Sequence, residues 1–549
     1  MILVNILMGM IKKYIYPTRV VKTYGDIAGA DELKREKDLQ IGFYEPSVCV
    51  MNPGSSVILD FGKELQGGVR IITFMGGDDC FLRIRFGESV SECMAELGEK
   101  NATNNHAVRD RTVCAPDYSD MEYGNTGFRF VKLDNVGGRR VVVKAAVAYL
   151  EMIKMPKKGS FECDDKLINK IFRVSSYTVD LCVQNGLIWD GIKRDRLVWI
   201  GDIHPEMLSL STLYGRFAPI EKSLDFIKRQ TPLPAWMNNI PTYSMWWMII
   251  LHDYYLRTGC MDYLAEQKEY LLGLLKQIDE NISPEGEILY TGYLLDWPTH
   301  EQPDEIPGVR ALNVLAVQKA AKILAFLKED CDLPEKILAK LAQKRYPVAD
   351  KKQVKAFECL AYGEHTPETL RFLTQGGVKG FSTFMIYYIL KSIVLCGGED
   401  ESVELLKKYY GGMLAMGATT FWEDFDIDWT ENATKITELP KRNKKDIHGD
   451  YGRYCYVGFR HSFCHGWASG PIGYLSECVA GFNATEPGKL TIHPHLGTLR
   501  YVKAKFPTPY GVVEVYHEKE NGKTVTACRA PREVAVTFEG CEVTEFRQY

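Results

Sequence analysis

The chain has 549 residues, of which 46% are hydrophobic and 25% charged, with a formal net charge of −4. A single core stops growing at about 250–300 residues, so this length predicts several domains, and the composition excludes a disordered or fibrous chain. The weakly acidic balance, with a pI near 6.3, lacks the dense basic face through which nucleic-acid binders release counterions, so no nucleic-acid partner is expected.

In chain order, Met1 to Met10 is apolar and precedes Lys12 and Lys13, the reverse of a secretory signal, in which the charge comes first. No apolar run of about 18 residues follows that could span a membrane. Residues up to about 155 read as strands. Ser56 to Gly62 leads through Gly67-Gly68 into Val69 to Phe74, a strand, turn, strand pattern with period-two alternation, and Cys80–Gly87, Phe128–Leu133 and Arg140–Leu150 continue it. Short strands punctuated by Gly and Asn predict a β-sandwich.

The period changes near Gly159, where Leu167, Ile168, Ile171, Phe172 and Val174 repeat at three and four, the spacing of one helical face. Helices are predicted over 205–216, 219–230, 243–258, 262–281, 309–328, 334–345, 381–396, 401–416 and 470–482, with a weaker helical pattern between 348 and 380. Helices of this length with short connections pack as antiparallel pairs, and a ring of pairs makes an α/α toroid with a central cleft. After Gly481 strands return at 489–493, 499–506, 511–517 and 524–530. The fifteen cysteines form no Cys-x-x-Cys pair, which predicts reduced thiols in a cytoplasmic protein and no zinc. No ligand spacing indicates a metal, and no cofactor is expected.

Candidate chemistry concentrates in Asp190 to Asp202, closed by His204-Pro205-Glu206: carboxylates, Lys193, Arg194, Arg196 and Trp199 among helical apolar segments. Ionised groups there must be paired, hydrogen-bonded or shifted in pKa. Other loops join aromatics to acids or His: Tyr243 before Trp246-Trp247, Asp296-Trp297, Phe421-Trp422-Glu423, and His461 to Trp467. Sugars call for this pairing, because a pyranose offers apolar C–H faces to a ring and hydroxyls to polar groups.

Asp190 to Asp202 resembles the catalytic motif of the α-L-rhamnosidases of glycoside hydrolase family 78, Asp-Cys-Pro-x-Arg-Asp-Glu-Arg-Leu-Gly-Trp-x-Gly-Asp. Leu59-Asp60-Phe61-Gly62 with Gly67-Gly68, Phe86-Gly87-Glu88 and Gly127-Phe128-Arg129-Phe130 resemble signatures of the family's leading β-sandwich. Asp296-Trp297 is similar to its Gly-Asp-Trp loop, Thr419 to Glu423 to its Thr-Thr-x-Trp-Glu segment, His465 to the His opening the last barrel helix, and Thr508-Pro509-Tyr510-Gly511 to a C-terminal turn. The resemblance implies a multidomain protein with a central (α/α)6 barrel, residues 156–484, between an N-terminal antiparallel β-sandwich, 1–155, and a C-terminal one, 485–549.

It also implies an inverting exo-glycosidase cleaving terminal α-L-rhamnosyl or related deoxy- or uronic sugars. One carboxyl protonates the leaving oxygen and another activates water across a gap of roughly 6.5–9.5 Å. Glu423 corresponds to the family's base. The chain is one residue shorter than the family between Asp190 and Trp199, and the expected acid Glu is missing. Counted back from Trp199, Asp195 takes its place. Asp195 is therefore the expected acid, alone or sharing the work with Glu206, provided that Arg194 or Arg196 points elsewhere; otherwise it is a salt-bridged structural Asp. Asp190 and Asp202 are expected as acceptors for sugar hydroxyls, with Trp199, Trp246 and Trp297 as pocket walls. Arg194, Asp296, Trp422 and His465 complete the expected substrate contacts.

Two other readings stay open. One keeps the sugar pocket without hydrolysis, as a carbohydrate-binding pseudo-enzyme; the other is an (α/α)-barrel lyase using Tyr243 and His465. The expected partner is a carbohydrate, with no membrane, and a homodimer is the oligomeric option. The insertion 426–456 reads as a lid, an oligomer contact or, by its charge, a solvated loop.

Overall fold

A computed structural model describes residues 9–75, 79–300, 305–347 and 350–549. The apolar start of the chain up to Met8, and Val348 and Ala349, lie outside the described residues. Among the described residues no helix is long and apolar enough to cross a membrane.

The N-terminal region is a nine-stranded sheet in which every pairing is antiparallel. Its spine is Ser56–Met75, which replaces the predicted strand, turn, strand with one 20-residue strand. That strand pairs along its length with Asp120–Asn135, but its start pairs with Arg19–Tyr24 and its end with Val141–Ile153. The change of partner falls across register breaks between Asp60 and Leu65 and between Gly67 and Val69. Gly67 and Gly68 serve this crossing rather than a turn. Gly67 has φ 148, and a Cβ on either residue would lie 2.1 Å from a carbonyl oxygen of a neighbouring strand. Only glycine allows that approach.

The helices sort by the width of their apolar faces. Ile203–Tyr214 is buried at all twelve positions and Pro241–Thr258 nearly so, as expected for helices that are apolar all round. Each inner helix packs on the next: Ile203–Tyr214 on Pro241–Thr258, then Glu305–Phe326, Lys352–Tyr362, Ile386–Leu395 and Pro471–Tyr474, which returns to Ile203–Tyr214. Helices with one apolar stripe lie outside them, including Lys166–Cys182, Ala218–Gln230, Lys268–Glu280, Asp332–Ala342, Pro367–Thr374 and Glu399–Ala415.

Three helical segments differ from expectation. The 262–281 helix is two, Met261–Glu266 and Lys268–Glu280. The weak pattern after 348 resolves into Lys352–Tyr362 and Pro367–Thr374, separated by Gly363 at φ 69 and started again by Pro367, the usual stop and start residues. The 470–482 helix shrinks to Pro471–Tyr474 and a π-turn over Leu475–Val479, after which Gly481 at φ 76 admits the strand Phe482–Glu486.

Two sheets close the chain. Tyr501–Thr508, Gly511–Glu520, Lys523–Ala530 and Glu542–Gln548 form one, and Phe482–Glu486, Lys489–Ile492 and Ala535–Phe538 the other. They are mixed rather than purely antiparallel as expected: Lys523–Ala530 with Glu542–Gln548, and Lys489–Ile492 with Ala535–Phe538, are parallel. The chain crosses from the larger sheet to the smaller at 535–538 and back, and a crossover rather than a hairpin makes neighbours parallel. Ser160–Cys163, expected with the helices, instead pairs with Tyr501–Thr508 at the edge of this sheet.

Candidate active site

Asp190 to Asp202 forms a tight loop at one end of the inner helices. Asp190 N donates to Leu197 O (3.0 Å), Leu197 N donates back to Asp190 Oδ1 (2.9 Å), and Gly466 N donates to Asp190 O (2.7 Å). Asp195 and Arg196 both sit in the left-handed region, φ 53 and 59. For residues other than glycine this conformation costs roughly 1–2 kcal/mol each. The loop carries that strain at both residues, and Asp195 lines the pocket.

The three cations of the loop go three ways. Lys193 turns towards the N-terminal sheet, its Nζ 2.9 Å from Glu88 Oε2 and 3.1 Å from Glu92 Oε1, and donates to the carbonyls of Phe459 and His461. Arg196 donates to Asn125 O (2.9 Å) and Oδ1 (3.2 Å) and lies over the Trp189 ring. Arg194 alone faces the pocket. Its Nη2 bonds Glu423 Oε1, while Nη1 lies 3.8 Å from Asp195 Oδ1. The condition that one arginine points elsewhere is met by Arg196.

The pocket has a volume of about 80 Å³, too small for more than one sugar ring. Asp190, Arg194, Asp195, Trp199, Asp202, Trp297, Glu423 and His465, all anticipated from sequence, line it. His465 Nε2 lies 3.7 Å from Glu423 Oε1, 3.8 Å from Asp190 Oδ2 and 3.9 Å from Asp202 Oδ2. Burial, with Arg194 nearby, pushes the His465 pKa well below its usual range, so a neutral imidazole sits among three acids. Burial, reinforced by the neighbouring Asp202 and Asp195, holds Asp190 well above the usual carboxylate range. Burial does the same for Asp202, against the Tyr243 hydroxyl that donates to its Oδ1 at 3.0 Å. A carboxyl shifted in this direction holds its proton more readily, and in that form it donates as well as accepts, which widens the expected role of Asp190 and Asp202 as acceptors. Burial also raises Glu423, opposed by the Arg194 guanidinium and by Ser462 N, which donates to Oε2 at 3.2 Å. Asp195 is 17% exposed, and His106 Nδ1 approaches it to 3.6 Å from the loop before the strand Asp110–Cys114.

Four expected site residues are not brought to the pocket. Glu206 is fully buried beneath Gly466, neither carboxyl oxygen has a hydrogen-bond partner, and burial holds its pKa far above the usual range. Trp246, on a helix apolar all round, is core, against His204, Phe357, Phe384 and Tyr388. Trp422 stacks on Phe463 with centroids 4.1 Å apart; adjacent side chains in an extended loop face opposite ways, so Glu423 takes the pocket and Trp422 the core. Asp296 lies behind Trp297, accepting from Ser382 Oγ at 2.5 Å, with burial pushing it up to about 7.

Ile240, Leu294, Cys455 and Tyr456, not expected as contacts, also line the pocket, with Tyr243 and Trp467 from the aromatic loops named above. Tyr456 belongs to the insertion expected as a solvated loop; it is 3% exposed and carries the Arg194 guanidinium 5.4 Å from its ring centroid. The aromatic pair Tyr454 and Tyr456 inside a charged segment was the available signal. Trp467 Nε1 donates to Glu423 O at 2.9 Å. Asp190, Asp202 and His465 also place ligand atoms within 4.8 Å of one another, a grouping that no spacing in the sequence reveals. Glu88, Glu92 and His448 do the same, with Lys193 between the two carboxylates.

This pocket, in a ring of helices with paired acids and aromatic walls, has the features of a glycosidase-type site. Residues 156–340 match the family model of the bacterial alpha-L-rhamnosidase 6 hairpin glycosidase domain, and the chain resembles bacterial alpha-L-rhamnosidases. A curated alpha-L-rhamnosidase of Formosa agariphila is 24% identical over 208 residues, which are 36% of this chain and 21% of that protein. The family 78 rhamnosidase of Bacillus sp. GL1 superposes with a TM-score of 0.72 at 20% identity, covering 93% of this chain and 55% of that one. The Klebsiella oxytoca rhamnosidase, solved with rhamnose bound, gives 0.66 at 17% identity, covering 86% of this chain and 96% of that one. At such identities the likeness is one of fold.

Proposed function

We propose that this chain is an inverting, exo-acting glycoside hydrolase that removes terminal α-L-rhamnosyl or closely related deoxy- or uronic sugar residues. Asp195 is its general acid and Glu423 its general base. The observation that carries the reading is Arg194, whose single guanidinium reaches both Glu423 and Asp195. Two contacts through one planar group bring both carboxyls to the same cation in one pocket, which supports reading them as an acid and base that act on one glycosidic bond. Their placement supports the division of labour. Glu423 is buried beside a cation that favours its ionised form, while Asp195 is the more exposed of the two, as suits the carboxyl that meets the leaving group. The small volume of the pocket supports exo action on one terminal ring. The six inner helices are read as an (α/α)6 barrel flanked by sandwich-like β-domains. The domains are taken as 1–155, 156–484 and 485–549, with Ser160–Cys163 reassigned to the C-terminal sheet. All fifteen cysteines are free, which supports the cytoplasmic reading.

The test is to replace Asp195 by Asn and Glu423 by Gln separately and to assay an aryl α-L-rhamnoside. Each variant is expected to lose at least about 10²-fold in kcat/KM. Full activity in either removes that residue from the mechanism. A non-hydrolytic, rhamnose-binding reading draws on one observation, that both Glu423 oxygens already have donors, Arg194 and Ser462. Rhamnose binding by the wild type without turnover of any rhamnoside would favour it.

A further inference from the structure

We propose that a second cavity, behind the Trp297–Tyr454 wall of the catalytic pocket, is an anion-accepting subsite. It takes the carboxylate or sulfate ester of an acidic sugar that carries the cleaved residue. This rests on the glycosidase reading and adds the charge of the substrate's next unit.

The cavity has about 400 Å³, and its described lining includes Lys351, Lys352, Lys379 and Arg453 with one carboxylate, Asp350. In a chain whose net charge is −4, four cations around one cavity are a local concentration. Pro298 and Tyr454 line this cavity, while their chain neighbours Trp297 and Cys455 line the catalytic pocket. The Trp297 and Tyr454 rings stack, with centroids 6.0 Å apart and planes at 28°. The same two loops thus show one face to each space, and only the thickness of an aromatic pair divides them.

The cations are available. Lys379 Nζ is 3.1 Å from Asp428 Oδ2, and Arg453 Nη2 is 3.4 Å from Asp426 Oδ2, but the two basic side chains are 66% and 63% exposed. Exposed pairs of this kind contribute about 0–1 kcal/mol, so an incoming anion can draw both cations inward. Among the described residues neither Lys351 nor Lys352 forms an ion pair. Lys352 donates to Gly377 O at 2.6 Å and lies over the Phe381 ring, and burial pushes it down to about 8; an anion beside it would favour its charged form further. An Arg fork with lysine point charges suits carboxylate or sulfate oxygens.

The test compares α-L-rhamnosyl-glucuronate, the identically linked α-L-rhamnosyl-glucose, and that glucoside bearing a sulfate ester, with nitrophenyl α-L-rhamnoside as the control. The enzymes are wild type and the Lys351→Ala/Lys379→Ala double variant. Wild type is expected to favour the glucuronate over the glucoside by about tenfold in kcat/KM, mainly through KM, the size expected for one charge-assisted hydrogen bond. Added salt should erode the preference. The double variant should lose that preference while keeping the control rate within about twofold. A sulfated substrate as good as the glucuronate defines a general anion subsite, and a glucuronate-only preference defines a carboxylate subsite; both support the proposal. Equal rates on charged and neutral disaccharides, or a variant that loses on all substrates alike, overturn it. If nothing is hydrolysed, the glycosidase reading fails. The subsite is then judged by calorimetric titration with the glucuronate disaccharide, where about tenfold weaker binding by the double variant sustains it and unchanged binding overturns it.

Discussion

Replacing Lys193 by Met tests how the N-terminal sheet holds the catalytic loops. Lys193 Nζ is bound by Glu88 and Glu92, both 0–1% exposed, and by two carbonyls of the 459–461 turn. Glu88 Oε2 accepts from Phe463 N at 2.7 Å, and the neighbouring Ser462 N donates to Glu423. Without the ammonium, two buried carboxylates lose their cation, a change that costs about 3–5 kcal/mol out of a stability of roughly 5–15 kcal/mol. The loss depends on pH. Burial pushes Glu88 up to about 7, with Lys193 pulling it down, so the variant's Glu88 rises further. A carboxyl raised in the fold binds more protons native than unfolded, so its contribution to stability is lost as pH climbs from the unfolded pKa, about 4.3, through the folded value. Urea unfolding near pH 5 should therefore show a small difference between variant and wild type, and near pH 8 most of the 3–5 kcal/mol. Equal losses at both pH values, or no loss near pH 8, would refute the reasoning.

Other outcomes follow from the same geometry. Gly466→Ala puts a Cβ 1.4 Å from Glu206 Oε1 and should destabilise by about 1–3 kcal/mol; in thermal unfolding, Glu206→Ala in the same chain should recover much of the loss, and simple additivity would argue against the contact. Glu206→Gln should keep kcat/KM within about fivefold, since its carboxyl does not reach the pocket, whereas a loss of about 10²-fold would restore it as an acid. Trp246→Ala should lower stability by about 3–5 kcal/mol, while Trp297→Ala should raise KM with little change in the unfolding midpoint; the reverse pattern would exchange their assignments.

Much of the helical region was legible because its periodicity reports burial. Pro241–Thr258, an inner helix, is apolar nearly all round, and Lys268–Glu280, an outer one, is striped, which is how the two differ as sequences. Short or irregular elements were not legible: Pro471–Tyr474 has no length over which a period can build, and the parallel pairing of Glu542–Gln548 depends on a crossover that local pattern does not encode. In the site, Asp190, Asp202 and His465 could be named because their loops match a motif. Direction could not be read. Trp246 and Trp422 carry the same residue type as Trp297 but turn into the core, and Tyr456 reaches the pocket from a segment whose charge suggested solvent. Residue type reveals chemistry, and only packing fixes which way a side chain points.

In the proposed mechanism Asp195 and Glu423 act across the space that Arg194 spans. Following hydrolysis of an aryl α-L-rhamnoside by wild-type protein with proton NMR tests it most directly. The first product is expected to be the β-anomer of L-rhamnose, with mutarotation to the α-form only afterwards. Initial release of the α-anomer would contradict it.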